Sequence, residues 1–136
     1  MKANASIAFG SLILAATMHV SAATLPLAKT ENGVAYVSGG VGQDEAAAMR
    51  AEAKHYPMSI FFTAGKDNAF LANVKVTISD KAGKEVLNTT AGPILLVKAP
   101  PATYAITAVR NGRTLHRTVH VQKTGEKQIV FHWPKA

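Results

Sequence analysis

Asn111-Gly112 stands between two stretches in which apolar and polar side chains alternate, and no other feature of the chain constrains the fold so tightly. Both residues tolerate the positive φ of a two-residue type I′ turn, the tightest connection between antiparallel strands. With these two as the loop, Arg110 pairs with Arg113, Ala108 with Leu115, Ile106 with Arg117 and Tyr104 with Val119. One face of the hairpin then carries Tyr104, Ile106, Ala108, Leu115, Val119 and Val121. The other carries Thr103, Thr107, Thr114, His116, Thr118 and His120 and is polar. A strand pair with one apolar face has to bury that face against a second layer.

The rest of the chain agrees. Val74, Val76 and Ile78 alternate with Lys75, Thr77 and Ser79, the pattern of a half-buried strand. Apolar or alternating runs at Gly33–Ser38, Met58–Thr63, Glu85–Thr89 and Ile94–Lys98 read as further short strands, with turn signals at Gly65–Asn68, Asp80–Lys84 and Pro100-Pro101. One helix is expected, over Gln43–Lys54. Asp44 and Glu45 crowd its start and Arg50, Lys54 and His55 its end, as the helix dipole favours, and Pro57 stops it. Ala46, Met49, Ala53 and Tyr56 form its apolar side. The spacing predicts an immunoglobulin-like or transthyretin-like antiparallel β-sandwich of about seven strands with one short N-terminal helix.

The last strand sets a condition on its loop. A two- or four-residue loop near Thr124-Gly125 would place Ile129, Phe131 and Trp133 on the face of His116 and His120, which splits the core. A three-residue loop places them with Val119 and Val121, so a hairpin with an odd loop and a left-handed Gly125 is expected. Trp133 and Phe131 then close the core. Arg117 falls on the apolar face, which requires a carboxylate partner such as Glu45, Asp80 or Glu85, or a stem that packs while the guanidinium reaches water.

Ahead of this domain, Met1-Lys2 and a few small polar residues precede an apolar run from Ile7 to about Met18, followed by Ser21, Ala22 and Ala23. That order is a signal peptide, with cleavage expected after Ala22 or alternatively after Ala23. The run is about half the length a bilayer-spanning helix needs, and no later stretch is apolar enough to span. The chain therefore divides into a signal peptide at 1–22, a leader at 23–32 and one domain at 33–136. A periplasmic or secreted location follows, with no transmembrane segment once the signal is removed.

Composition narrows the chemistry. The chain of 136 residues has no cysteine, which excludes a disulfide framework, a thiolate metal site and a cysteine nucleophile. Gly39-Gly40-Val41-Gly42 precedes a helix but lacks the lysine and hydroxyl residue of a phosphate-binding loop. No nucleophile sits in a strand-turn-helix elbow. The net charge of +7 comes from scattered lysines without interleaved aromatic residues, so acidic partners fit and nucleic acid does not. Arg110 and Arg113 face each other at the hairpin tip, where an anion between them would relieve their repulsion. The candidate metal ligands are His116, His120 and His132. His116 and His120 are about 13 Å apart along one strand, and with the odd loop His132 joins their face on the neighbouring strand, where a cross-strand histidine pair could share Zn or Cu.

The run from Asn73 to Val121 resembles a known family. Val74, Val76 and Ile78, the turn at Gly83, Ala99-Pro100-Pro101-Ala102-Thr103-Tyr104-Ala105-Ile106, Asn111-Gly112 and Val119-His120-Val121 are similar to the carboxypeptidase regulatory-like, transthyretin-like β-sandwich. Ala102 stands where that family has a glycine. Gly39-Gly40-Val41-Gly42-Gln43-Asp44-Glu45 resembles the opening of small exported proteobacterial proteins carrying that domain. The resemblance implies a non-enzymatic binding module of the bacterial envelope, with a protein or an anionic polymer as partner. A periplasmic metal or small-ligand carrier using the histidine face is the alternative. A transthyretin-like hydrolase comes third, because the C-terminal signature of that enzyme branch is absent from His132-Trp133-Pro134-Lys135-Ala136.

Overall fold

The computed structural model describes residues 24–136, so the expected signal peptide and its cleavage sites lie outside the described residues. Its elements are β1 (Lys29–Glu31), β2 (Val34–Gly39), α1 (Gln43–Glu52), a 3-10 turn (Ala53–His55), β3 (Met58–Ala64), β4 (Ala69–Phe70), β5 (Val74–Ser79), β6 (Glu85–Ala91), β7 (Ile94–Val97), β8 (Ala102–Arg110), β9 (Arg113–Val121) and β10 (Lys127–Trp133). Two sheets face each other. One has the order β1-β2-β7-β3-β10, with β4 also pairing β3, and the other the order β6-β5-β8-β9. The fold is a β-sandwich with ten strands rather than about seven. The added strands include β1 and the two-residue β4, which are too short to leave a periodic signal.

The Asn111-Gly112 hairpin has the expected register, from Arg110↔Arg113 to Ala102↔Val121, and both turn residues have positive φ, 52° and 74°. A second hairpin of the same kind lies where a leader was expected. Asn32 and Gly33, at φ 51° and 78°, join β1 to β2 antiparallel. The Asn-Gly signal was there to be read at that site, but β1 has only three residues and no alternation to flank it.

The inner faces of both sheets build one core. Met58, Ile60 and Phe62 of β3, Leu95 of β7, Val74, Val76 and Ile78 of β5, and Tyr104, Ile106 and Ala108 of β8 meet Ile129, Phe131 and Trp133 of β10. The strands β3 and β7 are buried along their whole length, and α1 lies on the outer face of the sheet over β7, β2 and Phe61 of β3. There Ala46, Met49 and Ala53 pack on Val37, Phe61, Ile94 and Leu96, with Tyr56 partly buried beside them. Continuous apolar runs are what strands covered on both faces require. The helix ends two residues earlier than expected, its last turn tightening into the 3-10 form before Pro57.

β10 departs from the expectation. It does not form a hairpin with β9 but crosses to the other sheet and pairs parallel with β3, from Lys127↔Met58 to Trp133↔Ala64. Backbone bonds from Lys127 N–H to the Pro57 carbonyl and from Gly65 N–H to the Trp133 carbonyl flank this ladder at its two ends. The sandwich is therefore not wholly antiparallel. The physical reason is that β3 would otherwise be an apolar edge, and edges of that kind are covered or blunted. Gly125 has the positive φ expected of it, 93°, but in a crossing loop. Ile129, Phe131 and Trp133 do share a core with Val119 and Val121, reached from the opposite sheet.

Candidate functional site

The two open sides of the sandwich are built differently. At the β1 and β6 side, the first hairpin reaches across the gap: Asn88 N–H donates to Glu31 Oε2 at 3.1 Å, and Asn32 Nδ2 lies 3.4 Å from the carbonyls of Glu85 and Val86. At the other side, the edges of β9 and β10 run past each other and two side chains join them. Arg117 donates to the Val130 carbonyl at 3.0 Å, and its guanidinium lies 5.9 Å from the Phe131 ring centre. Trp133 Nε1 donates to the Arg113 carbonyl at 3.2 Å. Trp133 itself is fully buried, its ring 6.3 Å from those of Phe62 and Phe131.

Arg117 thus takes the second course open to it. Its side chain runs along the seam and its head stays exposed, hydrogen-bonded to a carbonyl and stacked on an aromatic face. Glu45, expected as a possible partner, is turned elsewhere. Its Oε1 accepts from Gly40 N–H at 2.8 Å and from Val41 N–H at 3.3 Å. Gly40 has φ 101°, and Gly39 lies so close to Glu45 that an added Cβ would stand 2.8 Å from Oε1. The glycine-rich opening therefore holds the end of β2 against the start of α1.

The three histidines do not form one face. His116 and His120 lie on the outer face of the β9 sheet, and His132 lies on the outer face of the other sheet, because β10 belongs there. Each is held the same way, by a threonine directly opposite it on the neighbouring strand. Thr107 Oγ1 is 3.2 Å from His116 Nδ1, Thr103 Oγ1 is 2.9 Å from His120 Nδ1, and Thr63 Oγ1 is 2.9 Å from His132 Nδ1. Nδ1 is thereby engaged and Nε2 is the remaining nitrogen of each ring. His116 and His132 come nearest to a common site at the seam, where both line a depression of about 260 Å3 with Leu115, Arg117, Val130 and Phe131. Among the described residues no three His, Asp or Glu side chains are grouped to hold a metal ion.

Two features were not visible before the strands were placed. The first is a groove of about 690 Å3 beside the start of α1, walled by Val41, Phe70, Ala72 and Pro93, with Arg50 5.8 Å from the Phe70 ring centre and Asp44 nearby. Its two charges offset each other. The second is the distribution of charge. Residues 24–109 carry eight lysines and arginines against seven acids, whereas residues 110–136 carry six against Glu126 alone. Of these six, Arg113 and Arg117 lie on β9 and Lys127 on β10, while Arg110 ends β8, Lys123 lies in the crossing loop and Lys135 follows β10, so the excess positive charge belongs to β9, β10 and the segments that adjoin them. Counting along the chain could have found this asymmetry; that it falls on one side of the molecule follows only from the topology.

The resemblance noted above left Ala102 in a position where the family has glycine. Ala102 begins β8 without positive φ, so the substitution carries no backbone strain. Just beyond it Tyr104 folds its hydroxyl back onto the Pro100 carbonyl at 2.6 Å and fixes the entry to β8. Burial, with the Asp80 charge as the smaller cause, pushes the Tyr104 phenol above its ordinary value. No helix among the described residues is long and apolar enough to cross a membrane. Neither a family model nor a curated protein matches the chain.

Proposed function

We propose that this chain is a non-enzymatic interaction module of the bacterial envelope, exported by its N-terminal signal, and that it engages an acidic partner through the open side of the sandwich. The single observation that carries this reading is the gathering of positive charge along β9 and β10. Both sides are bridged by side chains, Glu31 and Asn32 at one and Arg117 and Trp133 at the other, so charge is what distinguishes them. A field of one sign on one side of a small protein steers and orients an oppositely charged partner.

A photo-crosslinking residue placed at Thr118 on β9, and another at Thr90 on β6, tests it in cells. An adduct from position 118 and none from position 90 supports the reading, and no adduct from either overturns it. A metal or small-ligand carrier is the second reading, favoured by the three threonine-held rings. Zinc or copper at stoichiometric concentration would then raise the melting midpoint, since binding to the folded state stabilises it. An unchanged midpoint removes the metal carrier.

A further inference from the structure

We infer that the free edge of β9 takes up an extended acidic segment of a partner protein as an added strand. This rests on the interaction-module reading and states how the partner is held. β9 is nine residues long and ends its sheet, with β8 on one side and, among the described residues, no strand on the other. In a two-residue hairpin, Arg110 and Arg113 exchange backbone bonds, so the alternating residues Thr114, His116, Thr118 and His120 turn their N–H and C=O groups to the free edge. An edge of this kind is a template for another strand.

The side chains say which strand. Arg113, Leu115 and Arg117 share the seam face, and Leu115 is half-buried between two exposed arginines about 13 Å apart. Arg117 donates one guanidinium nitrogen to Val130 and keeps the rest of its planar donor array for a carboxylate. An added strand presents alternate residues to the same face, so its match is an acid, an aliphatic residue and an acid at every second position, with small polar residues between them to lie beside Thr114, His116 and Thr118. A polyanion without a peptide backbone would meet the arginines but leave the edge groups unpaired. A peptide meets both.

The probe is a fluorescein-labelled peptide Thr-Glu-Thr-Val-Thr-Glu-Thr, titrated with the protein and followed by anisotropy. Three comparisons accompany it: the same peptide with Lys for Glu, the same peptide N-methylated at alternate residues, and heparin as a polyanion. Lysine or N-methyl substitution should each weaken binding at least about tenfold, and Arg117→Glu, which leaves one charge of each sign on the seam face, should remove most of the preference for the Glu over the Lys peptide. Hydrogen exchange should slow at the amides of Thr114, His116, Thr118 and His120 when the peptide binds. Equal binding of the N-methylated peptide or of heparin, with no amide protection, overturns strand addition. So does protection that grows with protein concentration alone, which would be pairing of two copies. If the peptides fail up to millimolar concentration while the Thr118 crosslinker still captures a partner, strand addition falls and the module reading survives; if both fail, both fall.

Discussion

Replacing Trp133 tests whether β10 seals the sandwich or merely lies on its rim. The side chain is 1% exposed, its ring lies tilted at 6.3 Å from those of Phe62 and Phe131, and it donates to the Arg113 carbonyl of the opposite sheet. Truncating a buried aromatic residue to alanine costs about 3–5 kcal/mol from lost burial and the cavity left behind. A domain of this size has a stability of about 5–15 kcal/mol, so Trp133→Ala removes roughly a fifth of it or more. The midpoint of thermal unfolding should fall by about 12–20 °C. Trp133→Phe keeps the ring contacts and loses the indole donor and one small ring, for about 1.5–2.5 kcal/mol. Urea unfolding followed by far-ultraviolet circular dichroism suits both variants, because Trp133 is the only tryptophan and its fluorescence is lost with it. A cost under about 1.5 kcal/mol for Trp133→Ala, at unchanged m-value, would refute the assignment of β10 as the seal.

Arg117→Met should change stability by less than about 1 kcal/mol in the same assay, since it removes one exposed hydrogen bond and a cation–π contact while keeping the stem; a loss above about 3 kcal/mol would restore a buried ion pair. Tyr104→Phe should cost about 1 kcal/mol at neutral pH from the bond to Pro100. The folded-state phenol lies above its unfolded value, so Tyr104 stabilises fully below about pH 10, and above it the unfolded chain loses its proton first and stability falls, at no more than about 1.4 kcal/mol per pH unit. Urea titrations from pH 9 to 11 should show that extra slope in the parent and not in Tyr104→Phe. Gly40→Ala should cost about 1–3 kcal/mol, because φ is 101° there and the new Cβ would stand 3.0 Å from Ile94; thermal melting within 2 °C of the parent would contradict it.

What could be read from the sequence was local or periodic. Asn111-Gly112 set a register that holds over the whole of β8 and β9, and the acidic start of α1 with Pro57 behind it marked the helix to within two residues. Alternation also identified Ile129, Phe131 and Trp133 as core residues. It could not say which sheet they belong to, because the inner faces of both sheets point into one core and a hairpin or a crossing satisfies the pattern equally. That ambiguity decided the candidate site. With β10 in the other sheet, His132 leaves the face of His116 and His120, and the β9 edge is left without a partner strand. The arginine that looked misplaced, Arg117, proved to belong to the seam between sheets, a position that exists only after both edges are placed.

The parallel pairing of β3 with β10 has a consequence in time. β3 is laid down about a third of the way along the described residues, and its partner β10 is the last strand among them. Until Trp133 has left the ribosome, Ile60 and Phe62 lack the wall that buries them, and the β3 edge has nothing to pair with. The sandwich cannot lock segment by segment as it is synthesised. It has to close as a unit, through contacts between distant parts of the chain, on the scale of about milliseconds to seconds that such topologies require.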